Sequence, residues 1–318
     1  MHVSIAVTTL NRAGFLQQLF DALENQSYQD FEVIVVDGPS TDNTQALVEQ
    51  YSSRVKYFRI SQADLGKQRN LGIMLAKGEI VAYIDDDAIP SDNDWVRNAV
   101  RYFEQDPDLA GVGGSVTNHY SHIVEFAKGY VSSYGFQIFD GKAVTKVPRD
   151  FFLRLTGCNM FFRKKALLKI GGFDLAYRYY ADETDVCMRL LKSEQKLAVV
   201  EDIGVIHYKP EKETGRNYRS IFNISRSDTY FALRHGNNSW PIRFLKTIYY
   251  APKKHFVVDI FGHRDLGVSD SSLFALQVFN WLRGVIAGYL IYLTHSTRKV
   301  ELVDMSKDFK PFKLSVID

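Results

Sequence analysis

The sequence predicts an α/β fold: a mixed, mostly parallel sheet flanked by helices, with a helical carboxyl-terminal extension. Two observations carry this. Short β-branched apolar runs alternate with segments of helical periodicity from Val3 to Ile84, the pattern of strands joined by crossover helices. At 318 residues and 46% hydrophobic, the chain can also bury a core large enough for one big domain or for a catalytic domain with an appendage.

The elements follow in order. Val3 to Thr9 reads as the first strand, and Asn11 is expected to cap a helix carrying Leu16, Leu19, Phe20 and Leu23 on one face. Phe31 to Asp37 is a buried-type strand stopped by Gly38-Pro39, with Ser40 or Thr41 expected to cap the helix containing Ala46, Leu47 and Val48. Val55 to Ile60 makes a third strand, Gly66 to Ala76 a third helix, and Ile80 to Ile84 a fourth strand running into Asp85-Asp86-Asp87. After Gly111-Val112-Gly113-Gly114 the alternation weakens. The aromatic-rich stretch from His119 to Phe152 reads either as an acceptor-side loop or as extra packing.

Composition excludes several classes. With 39 basic against 37 acidic residues the formal charge is +2, so no overall field points to a nucleic acid partner. Cys158 and Cys187 lack the spacing of a zinc site or a disulfide framework, which fits a reducing cytoplasm. The amino-terminal apolar run is short and has no basic leader, so it is expected to be a strand and not a signal. Leu273 to Leu293 has nearly the length of a membrane span, but Arg283 at its middle would cost roughly 2.5–3.5 kcal/mol there. A buried core helix is the expectation for it. The alternative is an interfacial helix, peripheral at the inner face of the cell membrane, which would suit a lipid-linked acceptor.

Ligands of parallel α/β sheets bind outside the carboxyl ends of the strands, where loops and helix amino termini converge. Thr8 through Arg12, Asp37 and the aspartate triplet all sit at such ends. Three adjacent carboxylates repel one another unless solvent or a cation compensates them. A solvated acidic turn is the bland explanation. At the end of an apolar strand, a site for Mg²⁺ or Mn²⁺ with positions left for phosphate oxygens is the better one. Asp182-Glu183-Thr184-Asp185 opens a helix, where acids commonly complement the dipole, and one of them could instead deprotonate an incoming hydroxyl. His207 is a structural histidine or a ligand, and Arg69 and Asn70 are a solvated helix face or contacts to donor oxygens.

In this order the pieces resemble glycosyltransferase family 2, inverting enzymes of the GT-A, Rossmann-like fold. The likeness spans roughly residues 3 to 210. Val-Ser-Ile-Ala-Val-Thr-Thr-Leu-Asn-Arg is similar to the family's first strand and loop, with Thr8 where proline is usual. In Val-Val-Asp-Gly-Pro-Ser-Thr-Asp-Asn-Thr, Asp37 matches the base-binding acid while Gly38 and Pro39 replace the family's second aspartate and glycine. The resemblance implies a donor site from Thr8, Thr9, Asn11, Arg12, Asp37, Gly66, Arg69, Asn70, Asp85 and Asp86. It implies a metal site from Asp87 and Asp85 with His207, and an acceptor side including Gly157 and Asn159. Glu183 is implied as the base, with Asp182 and Asp185 as alternatives because the acidic order is inverted.

The organisation expected is a catalytic domain over 1–210, with a nucleotide-binding half to about 116 and an acceptor half from 117, then a helical extension over 211–318. The expected reaction moves a sugar from a nucleotide diphosphate donor, UDP by default, to a hydroxyl of a glycan or lipid-linked acceptor with Mn²⁺ or Mg²⁺. Two rivals stand beside it. A nucleotidylyltransferase would carry a glycine-rich basic loop where Thr8 to Arg12 stands, and an inactive nucleotide-sugar-binding scaffold would not need the intact acidic triplet.

Overall fold

The central strands are apolar on both faces because helices cover both sides of the sheet, so successive side chains enter opposite cores. The computed structural model describes residues 1–51, 55–139, 147–178, 180–208, 217–252, 271–295, 300–302 and 309–311. Strands and helices alternate first as β1 (Val3–Thr9), α1 (Ala13–Glu24), β2 (Phe31–Asp37), α2 (Thr44–Glu49), β3 (Val55–Ile60), α3 (Leu65–Leu75) and β4 (Ile80–Asp85). Then come β5 (Ala88–Pro90), α4 (Trp95–Gln105), β6 (Leu109–Asn118), β7 (Val124–Phe126), β8 (Gly129–Ser132), β9 (Gln137–Phe139), β10 (Phe151–Arg154) and β11 (Asn159–Arg163). The remainder is α5 (Lys164–Ile170), α6 (Asp182–Lys192), β12 (Lys196–His207), α7 (Asn217–His235), α8 (Trp240–Pro252), α9 (Ser271–His295) and β13 (Phe309–Pro311).

The main sheet runs β13-β3-β2-β1-β4-β11-β6-β12-β5, with β7 paired to β6. The stretch β3-β2-β1-β4 is parallel, β11 is antiparallel to both β4 and β6, and β12 runs parallel to β6. Ile5 and Val7 enter one core with Leu16, Phe20, Trp95 and Phe103, while Ala6 enters the other with Leu71, Phe162, Leu167 and Leu190. The aromatic-rich stretch left open above forms a separate antiparallel sheet, β10-β8-β9, together with the β7 edge.

Three local expectations are corrected. Arg12, not Asn11, precedes α1, and Asn43, not Ser40 or Thr41, precedes α2. Asn11 and Ser40 are used on each other's loops: the Asn11 amide donates to Ser40 Oγ at 2.8 Å, and Asn11 Oδ1 accepts from the Thr41 amide at 2.7 Å. The segment expected to be a buried core helix, α9, is buried on one face only. Gly284 and Gly288 lie against α7, where an added Cβ would meet Ser225 Oγ at 2.0 Å and the Arg226 carbonyl oxygen at 2.4 Å, so glycine sets the close approach. The opposite face, including Leu282, Ile286 and Leu290, is exposed. No helix among the described residues is long and apolar enough to cross a membrane.

Candidate active site

Strand register assembles the site. β1 pairs β2 with Thr9 opposite Asp37, and β1 pairs β4 with Thr8 opposite Asp85, so the three strand ends form one row. The chain turns at Asp86-Asp87 and returns as β5, which pairs antiparallel with β12 and sets His207 opposite Ala88. The Tyr208 amide donates to the Asp87 carbonyl at 2.7 Å and fixes that junction. A histidine 120 residues along the chain is thereby delivered to the aspartate loop.

Asp85, Asp87 and His207 each present a ligand atom within 4.8 Å of the others. His207 Nε2 lies 3.3 Å from Asp87 Oδ1, while Nδ1 faces Glu125 Oε2 at 3.0 Å. Glu125, on β7, is itself held by Asn118 Nδ2 at 2.8 Å. Two hard carboxylates and an imidazole whose far nitrogen is anchored form a donor set that fits Mn²⁺ or Mg²⁺. Burial pushes Asp87 upward, but the His207 contact and the Arg12 charge outweigh it and hold its carboxyl below the ordinary range. His207 moves the other way: burial lowers it, and Asp87 with Glu125 raises it above the ordinary imidazole value.

Asp86 does not join this set. It points into β1, accepting from Thr9 Oγ1 at 2.7 Å and from Arg12 Nη1 at 3.2 Å, and burial pushes it up to about 7. Arg12 also pairs with Asp87. Asp37 is fully buried, accepts from Ser40 and from the Tyr57 hydroxyl at 2.6 Å, and is raised above the ordinary range by its burial.

The second half of the site is the start of α6. Tyr180 and Ala181 both hold left-handed backbone, φ 81° and 67°, immediately before the acidic turn, a strain of about 1–3 kcal/mol each for residues with a Cβ. From there Asp182, Glu183 and Asp185 diverge. Asp182 is buried on Arg69, Oδ2 to Nη1 at 2.5 Å. Asp185 has no exposed side chain and binds Arg189 at 2.6 Å and His235 at 2.7 Å, tying α6 to α7. Glu183 keeps 15% exposure, contacts Arg154 Nη1 at 3.3 Å, and is pushed up to about 7 by burial and by the neighbouring Asp182 charge.

Arg69 links the two halves. Its side chain is 5% exposed, pairs with Asp182, lies 3.7 Å from Asp85 Oδ1, and reaches the Gly157 carbonyl at 3.4 Å. A Cβ at Gly157 would stand 2.8 Å from Arg69 Nη2, so the glycine makes room for the guanidinium. Of the two readings of Arg69 and Asn70, the solvated helix face does not hold, because both side chains are buried. Asn70 is buried and clamps the backbone of Phe173, accepting from its amide at 2.7 Å and donating to its carbonyl at 2.8 Å. Asn159 is likewise placed in the core and not on an open acceptor side: it accepts from Trp95 Nε1 at 3.1 Å and donates to the Ile203 carbonyl at 2.7 Å. Gly66 packs near Leu175 and the Tyr177 carbonyl, and Thr8 is partly buried at the end of β1.

Sequence reasoning missed Glu125, Asn118, Arg154 and His235. An acid flanked by apolar residues in His122-Ile123-Val124-Glu125-Phe126, and an arginine inside Phe151-Phe152-Leu153-Arg154-Leu155, were the available signals.

Residues 4–171 match glycosyl transferase family 2. Hyaluronan synthase of Pasteurella multocida is 27% identical over 248 residues, covering 67% of this chain and 25% of that protein. Chondroitin synthase of Escherichia coli is 28% identical over 251 residues, covering 67% and 36%. The chain thus spans between a quarter and about a third of these relatives. Among solved structures, S. aureus TarS 1-349 in complex with UDP-GlcNAc superposes with a TM-score of 0.59 at 18% identity, covering 90% of this chain and 82% of that one. Mannosyltransferase PcManGT from Pyrobaculum calidifontis, in complex with GDP-Man and Mn2+, gives 0.56 at 17%, covering 92% and 87%. The fold is the expected GT-A arrangement with a helical carboxyl-terminal region, and the chain belongs to glycosyl transferase family 2.

Proposed function

We propose that the protein transfers a sugar from a nucleoside diphosphate donor, a UDP-sugar by preference, to an acceptor hydroxyl with inversion at the anomeric carbon. The product would be a cell-surface polysaccharide or related glycan. The observation that carries the reading is the Arg69 bridge, which ties the Asp85 end of the metal-type cluster to the acidic turn of α6. Bound nucleotide sugars in the TarS and PcManGT structures, and the polysaccharide synthases among the relatives, support the substrate class.

Asp85, Asp87 and His207 would hold Mn²⁺ or Mg²⁺, which supplies neutralisation of charge on the departing diphosphate. Glu183 is the base we assign. Asp182 is committed to Arg69 and Asp185 to Arg189 and His235, whereas Glu183 is the least buried of the three and is held near neutral affinity for a proton. Arg154 orients its carboxylate and Arg69 keeps Asp182 from adding a second uncompensated charge. Asp37, at the end of β2, marks where a nucleoside base would lie.

Glu125 fixes His207 through Nδ1 and leaves Nε2 directed at the cluster. Glu125→Ala is therefore expected to weaken Mn²⁺ binding about 10–100-fold, read by isothermal titration or by the electron-spin signal of free Mn²⁺. Glu125→Gln should retain more of the affinity. Equal Mn²⁺ affinity in Glu125→Ala and wild type would remove Glu125 from the metal site.

The reaction itself is tested by proton NMR of slow donor turnover with UDP-glucose, UDP-GlcNAc and GDP-Man in the presence of Mn²⁺. One donor is expected to release a sugar whose first-formed anomer is opposite to the donor's. First-formed retention would exclude direct attack assisted by Glu183, and no turnover of any donor would favour the scaffold alternative.

A further inference from the structure

The exposed face of the helical region sets it apart from the rest of the surface. Of the 17 large hydrophobic residues exposed among the described residues, 11 lie on α8 and α9. On α8 they are Trp240, Ile242, Leu245, Ile248 and Tyr249, of which the last four share one side of the helix. On α9 they are Leu276, Phe279, Leu282, Ile286, Leu290 and Leu293, again a single stripe. Phe244 and Tyr289, with ring centroids 5.4 Å apart, join the two helices side by side. Contiguous apolar surface of this kind marks an interaction site.

Charge selects the occupant. Neither helix contains a single Asp or Glu, and their charged residues are Arg243, Lys246 and Arg283. Arg243 donates to the backbone carbonyls of Leu233 and Asn238, Lys246 to Asn238 Oδ1, and Arg283 to Asn280 Oδ1 while lying over Phe222 and Phe279. None of these partners is a carboxylate; Arg283 is exposed beside the α9 stripe, whereas Arg243 and Lys246 are half-buried against the turn that joins α7 to α8. A second copy of the chain, paired about a two-fold axis through α9, would set Arg283 against a stripe that offers no carboxylate. An anionic headgroup layer supplies both the apolar depth and the counter-charge.

We propose that the α8–α9 face seats the protein on the surface of an anionic lipid bilayer, with α9 lying in the interfacial plane. The face is fastened to the acceptor-side sheet: the Tyr134 hydroxyl in the β8–β9 turn donates to Asn238 Oδ1 at 2.7 Å, and Lys246 donates to the same oxygen at 2.8 Å. α7, beneath α9, grips α6 through His235 and Asp185. A bilayer so seated would lie beside the sheet where the sequence expectation puts the acceptor. Lipid binding of this kind does not depend on the transfer chemistry.

The test is vesicle flotation of the full chain, with phosphatidylcholine alone and with an equal part of phosphatidylglycerol. The protein is expected to float with the mixed vesicles, at least about tenfold less with the neutral ones, and less as salt rises. Leu245→Glu with Ile286→Glu should lower partitioning about tenfold or more, and the milder Leu290→Gln should lower it less. Leu168→Glu, on the exposed face of α5, should leave it unchanged, and unaltered melting of each variant separates lost binding from lost folding. Failure to float with either vesicle, or flotation that Leu245→Glu with Ile286→Glu leaves intact, overturns the assignment. So does a concentration-dependent dimer in sedimentation that the same substitutions dissolve, without flotation, because the face then belongs to a second copy.

Discussion

Glu183→Gln is expected to lower turnover about 10²–10⁴-fold while leaving folding and Mn²⁺-dependent nucleotide binding intact, because only proton removal from the acceptor hydroxyl is lost. The pH profile carries the same signature. Burial raises the Glu183 carboxyl to about 7, and a base works only when ionised, so turnover should fall as pH drops through neutrality instead of through the ordinary carboxylate range. In Glu183→Gln that acidic limb should vanish from whatever turnover remains. Near-normal turnover in Glu183→Gln would return the assignment to Asp182 or Asp185. Glu183→Asp, which shortens the side chain but keeps the carboxylate, should fall between the two.

Arg69→Ala is expected to destabilise the protein by about 3–5 kcal/mol, because it strips the partner from Asp182, which is 2% exposed, and leaves a buried charge uncompensated. For a chain of this size that corresponds to a fall of roughly 4–8 °C in melting temperature. Arg69→Met combined with Asp182→Leu removes both charges, and should be less destabilised than Arg69→Met alone. A double variant that loses as much as the sum of the two single ones would mean that the pair is not energetically coupled.

How far the sequence carries can be judged from these residues. The parallel half of the fold was legible because Val3–Thr9, Phe31–Asp37 and Ile80–Asp85 are near-continuous apolar strands, each ending in polar groups that the sheet brings into one row. Asp85 and Asp87 were legible for the same reason. His207 was reachable only as a resemblance, since its approach to Asp87 depends on β12 crossing beside β5.

Arg69 and Asn70 look like a solvated face because helical periodicity does not register a buried partner more than a hundred residues away at Asp182 or Phe173. Glu125 was hidden in a three-residue strand within the aromatic stretch, and Asn159 resembled a site residue while being consumed by Trp95 and Ile203. The caps were misjudged because Asn11 and Ser40 bond each other's loops instead of the following helices.

The most direct test of the central reading is isothermal titration of UDP and GDP, with and without Mn²⁺, into the wild-type protein and into Asp87→Ala. One nucleoside diphosphate should bind the wild type strongly only when Mn²⁺ is present, with Asp87→Ala losing both the metal and the metal-dependent part of nucleotide binding. Binding that ignores Mn²⁺ and survives Asp87→Ala, or no binding of either nucleotide, would contradict a metal-dependent donor site at the end of β4.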